Sequence, residues 1–328
     1  MILVLGGAGY IGSHMLKRLR EAGEPHLVFD NLEQGHEAAL QGSPLFRGDL
    51  RNVDDLRRVF QEHPDIDVVM HFAAYIAVGE SVREPGRYFQ NNTAAVLGLL
   101  EAMREAGVGK FVFSSTAAIF GEPQYVPIDE AHQKAPTSPY GDSKLFVERI
   151  LQAYDTAHDF RSVCLRYFNA AGADPEAKIG EDHHPETHLI PVAILAAMGK
   201  APALKVFGSD YDTPDGTCVR NYIHVLDLAE AHLLAVRHLR EGGESRQYNL
   251  GNGQGFSVKQ VIQTVERVTG KAVPHEEGPR RAGDPARLIA SSEGVRNAWG
   301  WQPRYPELET IVQHAWNWHQ SHPNGYGD

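Results

Sequence analysis

Residues 1–12 read MILVLGGAGYIG, and this stretch decides the fold. The short apolar run 2–5 predicts a buried strand, and the pattern that follows the glycines predicts a helix. Gly6, Gly9 and Gly12 lie between them in the spacing GxxGxxG. Glycines at these positions permit a tight turn, a close approach of the backbone to a pyrophosphate, and close packing of the helix on the strand. The stretch therefore predicts a strand, a phosphate-binding turn and a helix in the order that a dinucleotide site requires.

Short apolar runs alternate with helical patterns through the first half of the chain. The predicted strands are 2–5, 27–29, 45–47, 68–71, 111–114 and 162–166, and the predicted helices are 11–22, 53–61, 86–106 and 140–157. Strands that alternate with helices predict a parallel sheet covered on both faces. The fold class is therefore α/β, with a doubly wound parallel sheet of the Rossmann type.

The pattern changes after about residue 169. A polar segment at 172–187 predicts a loop, and it is followed by less regular elements at 190–198, 204–207, 226–240, 258–268 and 306–320. We expect a dinucleotide-binding domain at 1–169 and a smaller mixed α/β substrate domain at 170–328. This boundary is approximate, and we allow for domains that are discontinuous in sequence.

Composition excludes several classes of protein. With 31 Lys and Arg against 42 Asp and Glu, the net charge of −11 argues against general binding to nucleic acids or to anionic membranes. Cys164 and Cys218 are too few for a disulfide framework and indicate a reducing compartment. No apolar run approaches the ~20 residues that span a bilayer, and the first residues do not form a signal peptide. We therefore expect a soluble, cytoplasmic protein.

Two aspartates follow predicted strands near the glycine turn. Asp30 ends the second strand, where a carboxylate accepts hydrogen bonds from the adenosine ribose and repels a 2′-phosphate, which favours NAD over NADP. Asp49 follows the third strand, where it could bind the adenine amino group. Together with the turn, Asp30 predicts NAD as the cofactor.

A third group of residues predicts proton-transfer chemistry. Tyr140 and Lys144 are four residues apart at the start of a predicted helix and share one of its faces. A neighbouring ammonium and a bound nicotinamide cation would both favour the phenolate form of the tyrosine. Ser114 and Thr116 lie at the carboxyl end of a strand, where doubly wound sheets bind ligands, and a hydroxyl there can bond a reacting oxygen.

Taken together, these features resemble the extended short-chain dehydrogenase/reductase family and, more closely, its UDP-galactose 4-epimerases. The match covers essentially the whole chain. The segments that carry it are GAGYIGSH at 7–14, HFAA at 71–74, VGESV at 78–82, SPYG at 138–141, LRYFN at 165–169, GED at 180–182, VRNYIHV at 219–225, YNLG at 248–251, PRR at 279–281, GD at 283–284 and HPNGY at 322–326.

The resemblance implies a tightly held NAD and a UDP-sugar substrate. UDP-glucose and UDP-galactose would be interconverted by transient oxidation of carbon 4 to a 4-keto sugar. Tyr140 would take the proton of the 4-hydroxyl, Thr116 would bond the 4-oxygen, and Lys144 would bind the nicotinamide ribose and lower the pKa of the tyrosine. The implied cofactor-binding residues are Gly6, Gly9, Tyr10, Ile11, Gly12, Asp30, Asn31, Asp49, Leu50, Phe72, Ala73, Ala74, Asn91, Lys144 and Phe168.

The second half carries the implied substrate contacts. They are Asn169, His188, Val206, Phe207, Arg220, Arg281, Asp284 and Leu288, in addition to Thr116 and Tyr140. The two arginines would neutralise the diphosphate, a task that suits the planar guanidinium. Asp284 would accept a hydrogen bond from the uridine ribose, and residues 206–207 would flank the uracil.

Three positions depart from the family pattern. Ile76 replaces a lysine that lies near the cofactor in some members, and His188 replaces an asparagine that contacts the diphosphate. Leu288 lies where a bulky tyrosine restricts the sugar pocket in other members. Because leucine is smaller, we hypothesise that the pocket also accepts UDP-N-acetylhexosamines.

Two further expectations concern metals and assembly. The histidine-rich segment 183–188 lacks the H-E-x-x-H pattern and is interrupted by Pro185, so we expect no metal there. The predicted helices 86–106 and 140–157 carry more apolar surface than one sheet contact needs. This surplus fits the homodimer that the resemblance implies.

Several alternatives stay open. One is an epimerase of the same family that acts on another nucleotide sugar, such as a UDP-N-acetylhexosamine. A 4,6-dehydratase is disfavoured because Thr116 is followed by Ala117 and Ala118, where such enzymes carry acidic residues. A non-catalytic dinucleotide-sensing protein would need the glycine turn and Asp30 but neither Tyr140 nor Lys144.

Overall fold

The computed structural model of the chain describes residues 1–281 and 284–327, so Gly283 of the sequence motif lies outside the described residues. The described chain divides into two compact units, each built from three segments. Unit 1 contains Met1–Gly121, Lys134–Arg166 and Ala229–Tyr248, and unit 2 contains Glu122–Gln133, Tyr167–Leu228 and Asn249–Asp328. The segments of the two units alternate along the chain, whereas the sequence analysis placed a single boundary near residue 170. The assignment of domains to functions stays a prediction.

Strands and helices are numbered in chain order. The strands are β1 (Ile2–Leu5), β2 (His26–Asp30), β3 (Leu45–Arg47), β4 (Val68–His71), β5 (Lys110–Thr116), β6 (Arg161–Tyr167), β7 (Asn169–Ala171), β8 (Leu204–Phe207), β9 (Val219–Arg220), β10 (Tyr222–His224), β11 (Arg246–Leu250), β12 (Phe256–Ser257), β13 (His275–Gly278), β14 (Arg287–Leu288) and β15 (Pro323–Tyr326). The helices are α1 (Tyr10–Glu21), α2 (Val53–Glu62), α3 (Val78–Arg83), α4 (Pro85–Phe89), α5 (Ala95–Glu105), α6 (Pro139–His158), α7 (Leu189–Ala197), α8 (Val225–Arg240), α9 (Val258–Thr269), α10 (Glu293–Trp299) and α11 (Leu308–Ser321).

A seven-stranded parallel sheet forms the centre of unit 1, in the order β11-β6-β5-β4-β1-β2-β3. Strand β1 pairs in parallel with both β2 and β4, and its residues are fully buried. Burial on both faces explains why these strands are continuous apolar runs in the sequence. The predicted fold class is confirmed, and all six predicted strands of the first half are present with ends shifted by at most two residues.

The predicted helix 86–106 is wrong in its continuity. The structure divides it into α4, a π-helical turn at Gln90–Ala94, and α5. Inside this turn, the Asn92 side chain bonds the backbone N–H and C=O of Tyr75, each at 2.9 Å. These two hydrogen bonds fix Asn92 to a residue outside the helix, at the place where the helical turn widens.

The apolar faces of the two long helices are only partly covered. Val147 and Leu151 of α6 are buried in the core of unit 1. By contrast, Phe146 is 39% exposed and Leu97 of α5 is 40% exposed. The Phe146 ring contacts the ring of Phe89 at a centroid distance of 5.9 Å. An apolar strip therefore remains open on the described chain.

Unit 2 is built from small sheets and helices around its own apolar core. Strands β7 and β10 pair in parallel, β8 pairs in parallel with β13, and β9 lies between β12 and β14. Helices α7, α9 and α11 pack on one another. The two-residue strands carry no readable periodicity, and the sequence analysis did not predict them. Across 1–281 and 284–327, no helix is long and apolar enough to cross a membrane.

The glycine turn leaves no room for a side chain at position 12. A Cβ atom added at Gly12 would lie 2.1 Å from the carbonyl oxygen of Gly6, which is backbone and cannot move away cheaply. A Cβ atom at Gly9 would meet the same oxygen at 3.5 Å, an ordinary contact. The two glycines therefore differ sharply in what they contribute to the fold.

We expect Gly12→Ala to lower the free energy of unfolding by at least ~1–3 kcal/mol, the usual effect of overpacking. Gly9→Ala is the matched control and should leave it within about 1 kcal/mol. Equilibrium unfolding of the cofactor-free variants measures both values. Equal stabilities for the two variants would contradict this description of the turn.

Candidate active site

The turn between β1 and α1 has the properties of an anion site. Gly6 has a φ of +76°, and a Cβ atom there would lie 2.6 Å from the backbone nitrogen of Ala73. Gly9 is the N-cap of α1, and no acidic residue lies in the first turn of that helix. The positive end of the helix dipole is thus not compensated by a carboxylate of its own first turn. The residues present fit the pyrophosphate of a dinucleotide.

A solvent-open cavity lies beside this turn, within unit 1. Ten of the predicted cofactor-binding residues line it: Gly6, Gly9, Asp30, Asn31, Asp49, Leu50, Phe72, Ala73, Ala74 and Asn91. Tyr10, Ile11 and Gly12 lie in the first turn of α1, Lys144 lies on α6, and Phe168 belongs to unit 2. The sequence reasoning missed Glu33, Gln34, Gly35 and Tyr75, which also line the cavity.

Asp30 is held in place from both sides of its carboxylate. One oxygen accepts the N–H of Ala8 at 3.0 Å, and the other accepts the N–H of Leu32 at 2.9 Å. Burial raises the pKa of the Asp30 carboxyl, and these backbone hydrogen bonds offset part of that rise. A third backbone hydrogen bond comes from Asn31, which leaves the carboxylate one lone pair to accept a hydrogen bond from a ribose hydroxyl.

Polar residues at the outer end of the cavity form a charged network. Asp49 accepts hydrogen bonds from Arg51 at 2.6 and 2.9 Å and from Asn31 at 3.2 Å. The hydrogen bond from Arg51 is the main reason that the pKa of Asp49 falls to about 2. Glu33 accepts from Tyr75 at 2.5 Å and from Arg51 at 2.8 Å. Asp49 is therefore held as an anion beside the cavity, and an amino group that binds it would share or replace one of these hydrogen bonds.

Helix α6 positions the predicted catalytic pair. Ser138 caps the helix by accepting the N–H of Gly141 at 3.2 Å, and Pro139 occupies its first turn. The Tyr140 side chain is hydrogen-bonded to that of Thr116, the last residue of β5. The structure thus brings the predicted tyrosine and threonine together.

Lys144 lies one turn further along α6 and is 3% exposed. Its ammonium nitrogen donates to the carbonyl of Ser114 at 2.9 Å and lies 4.9 Å from the centre of the Phe113 ring. Burial lowers the pKa of the amine from 10.5 to about 7. The same residue is therefore close to half protonated at neutral pH.

Burial also raises the pKa of the Tyr140 phenol, and its hydrogen bond with Thr116 offsets only part of this rise. The expected lowering of this pKa by Lys144 requires the charged ammonium, which burial disfavours in the chain alone. A cation bound beside the phenol would stabilise the phenolate and so lower the pKa of Tyr140. The site thus needs further positive charge to form the phenolate near neutral pH.

A buried ion pair behind the site was not found from the sequence. Glu148 of α6 accepts hydrogen bonds from Ser115 at 2.6 Å and from Arg166 of β6 at 2.7 and 2.9 Å. The side chains of Glu148 and Arg166 are 6% and 2% exposed. Because Ser115 immediately precedes Thr116, this pair fixes the end of β5 against the helix that carries Tyr140.

The π-helical turn adds a second link to α6. Asn92 donates to the hydroxyl of Ser143 at 3.3 Å, and that hydroxyl donates to the carbonyl of Tyr140 at 2.7 Å. Thr93 donates to the carbonyl of Ser143 at 3.0 Å. The first turn of α6 is therefore held by side chains of the π-helical turn, which lies in the segment predicted as a continuous helix 86–106.

Several predicted substrate contacts lie together in unit 2. Arg220 of β9 forms an ion pair with Asp284 and donates to the carbonyls of Val219 and Pro285 at 2.8 and 2.9 Å. Leu288 of β14 is the register partner of Arg220. These contacts bring 220, 284 and 288 to one place, although 64 residues separate Arg220 from Asp284.

The remaining substrate contacts differ in exposure. Arg281 lies over the ring of Phe207 at 4.3 Å, and both side chains are at least partly exposed. Val206 is 2% exposed, pairs with Glu277 and belongs to the apolar core of unit 2, so the predicted contact of this residue with a ligand is not supported by its burial. Asn169 donates to the carbonyl of Asn221 at 2.9 Å. His188 is the N-cap residue of α7.

Comparisons with known proteins agree with this geometry. The chain matches the "NAD dependent epimerase/dehydratase family" over residues 2–251. It is 54% identical to the UDP-glucose 4-epimerase of Halalkalibacterium halodurans, over 99% of this chain and 97% of that protein. A crystal structure of a UDP-glucose 4-epimerase superimposes with a TM-score of 0.97 at 52% identity, covering 99% of both chains. The Bifidobacterium longum enzyme, solved with NAD+ and UDP, superimposes with a TM-score of 0.94 at 38% identity, also over 99% of both chains.

The low pKa of Lys144 gives the cofactor-free protein a pH-dependent stability. Between about pH 7 and 10.5 the unfolded chain binds more protons at this amine than the folded chain does, so stability rises with pH. Relative to Lys144→Met, the wild-type free energy of unfolding should increase by roughly 2–3 kcal/mol from pH 7 to pH 9. Urea unfolding at several pH values measures it.

Lys178 provides the control, because its side chain is 63% exposed. Lys178→Met should follow the wild-type pH dependence throughout. A difference between wild type and Lys144→Met that stays constant from pH 7 to pH 9 would contradict the assignment of a lowered pKa.

Proposed function

The chain belongs to the NAD dependent epimerase/dehydratase family, and we propose that it interconverts UDP-glucose and UDP-galactose with NAD as its resident cofactor. The observation that carries the proposal is the hydrogen-bonded pair of Tyr140 and Thr116 beside the buried Lys144. A protein that only senses a dinucleotide has no use for this pair. The reaction is an inversion at carbon 4 of the hexose.

The cofactor is held by residues of the glycine turn and its cavity. The α1 N-terminus and the glycines would hold the pyrophosphate, Asp30 the adenosine ribose, and Asp49 the adenine amino group. Lys144 would bind the nicotinamide ribose. When bound, NAD supplies the acceptor and later the donor of the hydride at carbon 4.

The chain's own residues handle the proton. Tyr140 would remove the proton from the 4-hydroxyl as the carbon is oxidised and return it when the carbon is reduced from the other face. Thr116 would hold the 4-oxygen during both steps. Since burial raises the pKa of the phenol, the ammonium of Lys144 and the cofactor's positive charge are both needed to form the base.

The second half of the chain would bind the UDP part of the substrate. Arg220, Arg281 and His188 would neutralise or bond the diphosphate, with Asn169 beside it. Asp284 would accept from the uridine ribose, and the partly exposed Phe207 would flank the uracil. In this proposal residues 1–169 bind NAD and residues 170–328 bind the UDP-sugar.

We further propose a cytoplasmic homodimer that serves galactose metabolism. Support for the dimer comes from the open apolar strip on α5 and α6, where Leu97 and Phe146 are 40% and 39% exposed. Cys164 and Cys218 are free thiols, as expected in a reducing compartment.

Purified protein incubated with UDP-galactose and no added NAD should form UDP-glucose, because the cofactor stays bound between turnovers. Tyr140→Phe should lower kcat by about 10³-fold or more, since the proton acceptor is lost. NAD released on denaturing the variant should match the wild-type amount, and this shows that the loss is chemical.

Tyr154→Phe is the matched control. Tyr154 lies near the other end of α6, and its hydroxyl donates to Glu101 of α5. It should keep wild-type turnover. A Tyr140→Phe variant with undiminished activity would refute the proposed role of the phenol.

A second candidate substrate follows from Leu288, which is partly buried beside Arg220. If Arg220 binds the diphosphate, a side chain at 288 faces the neighbourhood of the sugar. Leucine leaves more room there than tyrosine, which favours acceptance of an N-acetyl group at carbon 2 of the hexose.

We expect the wild type to epimerise UDP-N-acetylglucosamine as well as UDP-galactose. Leu288→Tyr should lower kcat/KM for the acetylated sugar by roughly 10-fold or more while changing that for UDP-galactose by less than about threefold. Steady-state rates on both substrates decide the matter. Absence of acetylated turnover in the wild type removes this candidate.

A further inference from the structure

Four potential metal ligands come together in the loop between β7 and α7. Glu181, His183, Glu186 and His188 each offer one ligating atom, and these atoms all lie within 4.8 Å of one another. Three of the four have no part in the proposed reaction, and His188 enters it only through the diphosphate. The cluster therefore needs an explanation of its own.

Both imidazoles use the same ring atom toward the same carboxylate oxygen. The Nδ1 atom of His183 lies 3.2 Å from Oε1 of Glu181, and the Nδ1 atom of His188 contacts that oxygen as well. Glu186 lies 3.7 Å from His183 and 4.0 Å from His188. Four ligands at bonds of about 2.0–2.2 Å in a tetrahedron are roughly 3.3–3.6 Å apart. In the metal-free chain the two imidazoles instead bond Glu181 directly, and because all four ligand atoms lie within 4.8 Å of one another, small side-chain rotations would bring them to that spacing.

The carboxylates are held by the chain itself. Glu181 has a side chain that is 4% exposed, and its backbone carbonyl accepts the indole N–H of Trp318 at 3.1 Å. Glu186 accepts the backbone N–H groups of Thr187 and His188 at 2.6 and 2.8 Å. Two carboxylates taken out of water at one place call for compensating positive charge, which the paired imidazoles supply when protonated and a bound metal ion would supply when they are neutral.

We propose that Glu181, His183, Glu186 and His188 form a binding site for one divalent transition-metal ion, for which Zn²⁺ is the best match. Two imidazole nitrogens and two carboxylate oxygens are ligands that Zn²⁺ takes, whereas Mg²⁺ and Ca²⁺ prefer oxygen alone. The four ligands are brought together by a loop and not by the face of a helix. A search for the helical H-E-x-x-H pattern therefore predicted no metal here.

The ion has a positioning role. Coordination through Nδ1 would leave the proton of His188 on Nε2, fixed as a hydrogen-bond donor. That orients the residue toward the substrate diphosphate, a consequence that rests on the proposed function. The metal site itself does not depend on it.

The test uses the untagged, full-length protein after dialysis against a chelator, titrated with ZnCl₂ by calorimetry. We expect about one Zn²⁺ per chain, and Co²⁺ in its place should give the visible absorption of a tetrahedral site. His183→Gln and Glu186→Gln should each weaken binding by at least about tenfold. His184→Gln is the matched control, because that neighbouring side chain is 81% exposed and lies outside the cluster.

Thermal unfolding with and without Zn²⁺ tests the site even if a ligand variant folds poorly. Zn²⁺ should raise the Tm of the wild type and of His184→Gln, and neither protein lacks a proposed ligand. No Zn²⁺ bound by the wild type, or equal binding in His183→Gln and His184→Gln, would overturn the site and leave a hydrogen-bonded group of imidazoles and carboxylates. Epimerase rates measured in the same samples separate this outcome from a failure of the proposed function. If the wild type binds Zn²⁺ but His183→Gln has an unchanged KM for UDP-galactose, the metal site stands. Only its proposed effect on His188 is then refuted.

Discussion

The buried ion pair between Glu148 and Arg166 is the interaction on which the geometry of the site depends. It ties α6, β5 and β6 together, and Ser115 completes it with a hydroxyl immediately before Thr116. Removing one partner of such a pair leaves an uncompensated charge in the core, which is typically destabilising by about 3–5 kcal/mol. The approach of Thr116 to Tyr140 is thus a property of the packed interior rather than of a loop.

Burial in this interior acts on the two ionisable groups of α6 in the same sense. It favours the neutral phenol of Tyr140 and the neutral amine of Lys144. The surroundings alone therefore leave the phenol protonated and the amine only partly charged near neutral pH. A positively charged ligand in the adjoining site stabilises the phenolate directly. Basicity at Tyr140 is in this way linked to occupancy of the dinucleotide site.

Much of unit 1 could be predicted because its information is local. Buried parallel strands are apolar runs, and the glycine turn, Asp30, Tyr140 and Lys144 are read from short spacings. What the sequence did not predict depends on distant partners: the π-helical turn is anchored on Tyr75, seventeen residues from Asn92, and Glu148 finds Arg166 eighteen residues away. In unit 2, two-residue strands and the pairing of Arg220 with Asp284 have no local pattern at all.

The place of β11 in the sheet has a consequence for synthesis on the ribosome. This strand, Arg246–Leu250, covers the outer side of β6, yet about 80 residues of the chain emerge between the two. At about 5–20 residues per second, β6 would present an unpaired edge for roughly 4–16 s. A nascent chain in that state offers hydrogen-bonding groups to neighbouring polypeptides, so chaperone capture is most useful during this interval.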